Sequence, residues 1–194
     1  MSTSAWKTPL NLWRLVGWSL GLWPAAVLGW KILHADLGPN PVETLEHFTG
    51  EWGLRLLLLT LLMTPLRRWT GRPEPVQIRR LLGLWAYAWM SIHFAIYLTF
   101  DLEWSMGELG KDLIKRTYIT IGFAAWLLLL PLAITSTRGW QRRLKRQWQR
   151  LHQLIYPAVL LGVLHFYWLV KADVREPLVY LALEIGRASC RERV

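Results

Sequence analysis

Long apolar stretches alternate with short polar ones along this chain, at the spacing of membrane crossings. The apolar stretches cover about residues 12–30, 52–66, 81–100, 118–134 and 151–170. Several approach or exceed the ~20 residues that carry a helix across a ~30 Å hydrocarbon core. A sixth run, residues 177–185, is only about half a span before the sequence turns polar. The pattern predicts an all-α, polytopic transmembrane helical bundle of five full spans plus a truncated sixth. Pro24 inside the first span is tolerable because membrane helices accept proline better than soluble ones. Gly38-Pro39-Asn40-Pro41 breaks any helix between spans one and two, and Thr64-Pro65 is expected to end span two. The first run is too long for a signal-peptide core and lacks a small-x-small cleavage site, so it counts as a span. Residues 1–185 then form one transmembrane domain. Residues 186–194 read as a non-native or read-through tail, the alternative being a short re-entrant end.

Composition agrees with a bilayer solvent. The 194 residues are 53% hydrophobic and include 14 Trp, which suit two interfacial belts of amphipathic rings. A net charge of +10 would suggest nucleic acid in a soluble protein. Here the charges sort by side, which removes that reading. The segments after spans two and four hold eleven Arg/Lys and one acid, whereas those after spans one, three and five hold six Arg/Lys and ten acids. Basic residues mark cytoplasmic loops, so the N-terminus is predicted inside, with odd-numbered exits outside. The one cysteine, Cys190, excludes an internal disulfide and a cysteine metal cluster; with no C-x-x-C-H, any haem is not covalently attached.

The candidate chemistry lies in histidines inside the spans. His93 is twelve residues past Leu81 and His165 fourteen past Leu151. Spans three and five both run outward, so both histidines lie roughly 18–21 Å from the inner surface at 1.5 Å per residue. Two imidazoles at one depth can ligate one iron from opposite faces. Such an iron has no open position and carries electrons rather than binding oxygen. The bland alternative is that each histidine hydrogen-bonds a neighbouring helix, although an ionisable residue in a span is a functional candidate by default. His152 lies at the inner mouth of span five, roughly 20 Å along the helix from His165 and some 140° around it if the helix is ideal. Pro157 lies between them, and proline bends helices. His34 and His47 fall in the polar outer segment and read as surface histidines, without metal-site spacing.

Several motifs carry a family resemblance: Arg79-Arg80-Leu81-Leu82-Gly83-Leu84-Trp85 leading to His93, His47-Phe48-Thr49-Gly50, Thr64-Pro65-Leu66-Arg67, and Thr135-Ser136-Thr137 with the basic run to Leu151-His152. Together they resemble the MsrQ (YedZ) family over nearly the whole chain to about Leu183. The resemblance implies the ferric-reductase-like transmembrane superfamily. It also implies a b-type haem electron-transfer subunit of a protein-methionine-sulfoxide reductase system, not the catalytic subunit. The implied location is the bacterial inner membrane. Electrons would come from quinol, or from a cytosolic flavin reductase, and pass to a periplasmic molybdopterin reductase; FMN is implied as well. That superfamily places two histidines on each of two helices. Here His93, His152 and His165 fill three such positions, and Arg79 stands in the fourth. One haem is therefore expected on His93 and His165. A second, on His152, stays open, with Arg79 suited to a propionate, a flavin phosphate or a quinone carbonyl. No G-x-G-x-x-G marks a nicotinamide site, so the electrons come from another molecule. Two rival classes remain: a transporter or proton channel using the buried histidines, and a passive anchor for a periplasmic partner.

Overall fold

The computed structural model describes residues 7–169, with side chains from residue 12 onward. Every regular element among the described residues is a helix: α1 (Lys7–Leu33), α2 (Pro41–Thr70), α3 (Glu74–Phe100), α4 (Met106–Lys115), α5 (Thr117–Ile134), α6 (Arg138–Leu144), α7 (Arg146–His152) and α8 (Ile155–Leu169). The half-length run at 177–185 and the tail at 186–194 lie outside the described residues. The chain divides into two compact units between Asp101 and Leu102.

The first unit is built on the α2–α3 hairpin. Asn40 starts α2: its Oδ1 accepts from the Glu43 amide at 3.5 Å and its Nδ2 donates to Glu43 Oε2 at 2.9 Å, with Pro41 in the first turn where its missing N–H is harmless. The helix does not end at Thr64-Pro65 as its sequence suggests. It runs through Pro65 to Thr70 and stops at Gly71, whose φ of 67° only glycine adopts without strain and whose amide closes on Arg67 O at 2.9 Å. Proline removes one hydrogen bond but does not force a stop, whereas the left-handed glycine reverses the chain. A short turn then makes α3 antiparallel to α2. Thr64 faces Arg79, Thr60 faces Gly83, Gly53 faces Met90 and Gly50 faces His93.

Small residues set how closely α1 approaches this hairpin. Gly17 lies against Leu81 and Gly21 against the Trp85 ring, which fixes α1 parallel to α3. Buried Trp89 donates Nε1–H to Gly21 O at 2.9 Å, so the indole polar end is satisfied within the unit. Leu56, Leu57, Leu61 and Leu82 are fully buried in the same unit.

In the second unit the acidic segment after α3, expected as a loop, forms α4. Ser105 caps it by accepting from the Glu108 amide at 3.3 Å, and Glu108 pairs with Lys111 at 2.6 Å. The basic segment after α5 also folds, into α6 and α7. Thr137 caps α6, Lys145 (φ 47°) separates the two, and Trp148 donates Nε1–H to Thr135 O at 2.9 Å, tying α7 to the end of α5. The fifth apolar stretch starts later than expected. α7 ends at His152, a turn holds Gln153 and Leu154, and α8 begins at Ile155. Pro157 thus falls in the first turn of α8, where proline costs little, and the break precedes it.

Among the described residues, α3 and α5 are long and apolar enough to cross a membrane. α1 and α2 have 27 and 30 residues, about 40–45 Å of helix, but the Glu51–Arg55 ion pair at 2.8 Å interrupts the apolar surface of α2. Fifteen residues of α8 are described.

Candidate cofactor-binding site

His93 and His165 are held by one device used twice. On α3, His93 Nδ1 lies 2.9 Å from Glu46 O of α2, a residue 47 positions away. On α8, His165 Nδ1 lies 2.8 Å from Tyr118 O of α5, again 47 positions away. A carbonyl only accepts, so in each ring Nδ1 carries the proton and Nε2 carries the lone pair. A histidine presents a metal in this way, with one nitrogen anchored and the other a σ-donor.

At each site a glycine lies one turn after the carbonyl, directly beneath the imidazole. A Cβ on Gly50 would stand 3.2 Å from His93 Nδ1 and 3.3 Å from its Cε1. At Gly122 it would stand 2.8 Å from His165 Nδ1 and 2.9 Å from its Cε1, closer than real Cβ atoms come. The Tyr118 ring stacks beside His165 at 6.2 Å between centroids. Phe48, from the His47-Phe48-Thr49-Gly50 motif, meets Trp89 edge-on at 6.5 Å, and Thr49 Oγ1 returns to its own helix at Leu45 O, 2.7 Å.

His152 is held differently. Its Nδ1 bonds the carbonyl one turn back, Trp148 O, at 3.1 Å, and its ring stacks on Trp148 at 3.9 Å. Exposed His34 makes the same contacts with Trp30, at 2.9 Å and 3.9 Å. The contacts of His152 with Trp148 are thus those of neighbours one helical turn apart. Because α7 and α8 are separate helices, the projection of His152 and His165 onto one ideal helix does not apply. His47, expected in a loop, sits half-buried within α2.

Arg79 is in the second turn of α3, half-buried, and donates Nη1–H to Thr64 Oγ1 at 3.4 Å. No break separates it from His93, fourteen residues on. The two share a face, about 40° apart around the axis and about 21 Å apart along it. Near the other end of α3, Glu46 lies ahead of the apolar part of α2 with its Oε1 buried and without a hydrogen bond. Burial, then the hydrogen bond and charge of Asp101, then the charge of Glu43, push its carboxyl well above the usual carboxylate range.

The sequence singled out the histidines but missed the groups that hold them, because a backbone carbonyl leaves no trace in residue type. The available signal was a glycine 43 residues before each of the two histidines, with a phenylalanine after each.

Comparison with known proteins places the chain in a family. Residues 49–163 match the family described as ferric reductase like transmembrane component. The chain is 54% identical over 166 residues to the protein-methionine-sulfoxide reductase heme-binding subunit MsrQ of Xanthomonas axonopodis pv. citri (strain 306), covering 82% of this chain and 76% of that protein. The MsrQ of Xanthomonas campestris pv. campestris (strain 8004) is 54% identical over 172 residues, with coverage of 84% and 79%. The chain belongs to the MsrQ family. Its ferric-reductase-like match covers all of α3 and α5, with Arg79, His93 and His152, and stops two residues short of His165. An MsrQ-family assignment and two apolar spanning helices make this a helical membrane protein with an electron-transfer role.

Proposed function

We propose that this chain is the b-type haem subunit of a membrane-bound methionine sulfoxide repair system, in which His93 and His165 are the residues that would hold one haem. The observation that carries the proposal is the matched anchoring of both rings: Nδ1–H on a neighbouring helix carbonyl, a glycine admitting the ring, and Nε2 as the lone-pair nitrogen. The donor set fits the group, since neutral imidazoles on rigid helices are what a bis-histidine haem requires. When bound, haem would supply one-electron chemistry.

The residues of the chain divide the remaining work. Arg79 and Arg80 at the start of α3, with the basic segment of α6 and α7, offer cationic groups at the cytoplasmic surface. They would orient a quinol headgroup or the phosphate of FMN. His152 can accept a proton there or hold a second haem. The acidic segments on the opposite side present a surface to a periplasmic molybdopterin-containing reductase. A multi-span arrangement in the inner membrane, N-terminus inside, agrees with the sidedness of charge. The relatives' name as heme-binding subunits supports the same reading.

Purified His93→Ala or His165→Ala protein is expected to lose the haem Soret band. A wild-type spectrum in either variant contradicts the ligand assignment.

A further inference from the structure

We infer that Gly50 and Gly122 are positioning residues for the two histidines, setting imidazole orientation and donor strength through the carbonyls of Glu46 and Tyr118. The inference rests on His93 and His165 being haem ligands. The same four-part device occurs in both units: a carbonyl, a glycine one turn on, a histidine 47 residues beyond the carbonyl donating Nδ1–H to it, and a phenylalanine next in sequence.

A helix carbonyl already serves its own helix through one lone pair. At these two sites the incoming imidazole passes over the residue one turn on from the carbonyl, where a Cβ, leaning back toward the helix N-terminus, would stand in its way. Glycine in a helix interior is otherwise unfavourable. At both positions the space is occupied by the imidazole itself rather than by general packing. Atoms of the ring are the three nearest to the missing Cβ, at 3.2–3.7 Å over Gly50 and 2.8–3.1 Å over Gly122. Gly83, also on the α2–α3 interface, has only Thr60 near, at 3.5 Å, and would accept a methyl group at ordinary contact.

The Nδ1–H···O=C bond makes the imidazole a stronger donor and so favours ferric over ferrous iron. A methyl group at Gly122 has no room beside the ring, so His165 must shift and its bond to Tyr118 O lengthen. At Gly50 the ring must give by a few tenths of an ångström only. The two positions are therefore graded in severity by their own geometry.

The test compares Gly50→Ala, Gly122→Ala and the control Gly83→Ala with His93→Ala and His165→Ala, in purified full-length protein. The readouts are haem-to-protein ratio, low-temperature EPR of the oxidised state and the midpoint potential. Gly122→Ala is expected to weaken haem retention about tenfold or more, the usual loss when a ligand's outer partner is removed. Gly50→Ala is expected to keep haem, with a potential shifted positive and altered low-spin g-values. Gly83→Ala is expected to match wild type. Should Gly122→Ala not fold, Gly50→Ala decides, since alanine favours the helix and its contact is mild. Wild-type potential and EPR in Gly50→Ala, or in a folded Gly122→Ala, overturns the positioning role. Haem retained by both histidine variants overturns the ligand assignment instead.

Discussion

A histidine within a span has two ordinary fates, to bond a neighbouring helix or to bind something, and the geometry of His93 and His165 suits both at once. Their Nδ1 atoms bond a carbonyl at 2.9 and 2.8 Å, and that bond makes Nε2 the donor nitrogen. The bland and the functional readings of the sequence are thus two ends of one ring. The Nδ1 of His152 bonds a carbonyl of its own helix, as that of exposed His34 does. His152→Ala is expected to keep the haem proposed on His93 and His165, with an unchanged Soret maximum; loss of all haem would assign it a larger part. Trp89 gives a test of packing away from the site. It is 3% exposed and donates to Gly21 O at 2.9 Å. Trp89→Phe is expected to cost about 0.5–1 kcal/mol in detergent unfolding, the worth of one such bond between membrane helices. The deep histidines were legible from residue type and depth. Their carbonyl partners were not, because every residue of a helix carries the same carbonyl and only the packed fold selects which is reached.

Among the elements, the apolar stretches were the most legible part. The stretch at 118–134 corresponds to α5 (Thr117–Ile134), because eighteen residues with few polar interruptions leave a helix little choice. Ends and connections were harder. Pro65 reads as a stop, yet α2 continues to Thr70, because proline removes one bond while Gly71 turns the chain. The charged segments read as loops by polarity. They fold as α4, α6 and α7 because Ser105 and Thr137 cap them and Trp148 anchors α7. Gly71→Ala is expected to destabilise the α2–α3 hairpin by about 1 kcal/mol, since alanine at a φ of 67° is strained. Thermal denaturation in detergent reads it, and an unchanged midpoint would show that the turn can rearrange.

For the molecule as a whole, charge sidedness is the statement the sequence makes most clearly. Eleven basic residues against one acid on one side, and six against ten on the other, predict a single orientation. With Cys190 replaced, cysteines introduced at Arg72 and Gln141 are expected to label from the cytoplasmic side, and at Gly38 and Gly110 from the outer side. Reversed labelling at either pair breaks the topology. The account as a whole turns on two histidines sharing one iron. Near-infrared magnetic circular dichroism of the oxidised protein identifies an axial pair directly. It should show a low-spin haem with two imidazole ligands, lost together in His93→Ala and His165→Ala. A high-spin haem, or a histidine paired with another ligand in the intact chain, would contradict the account.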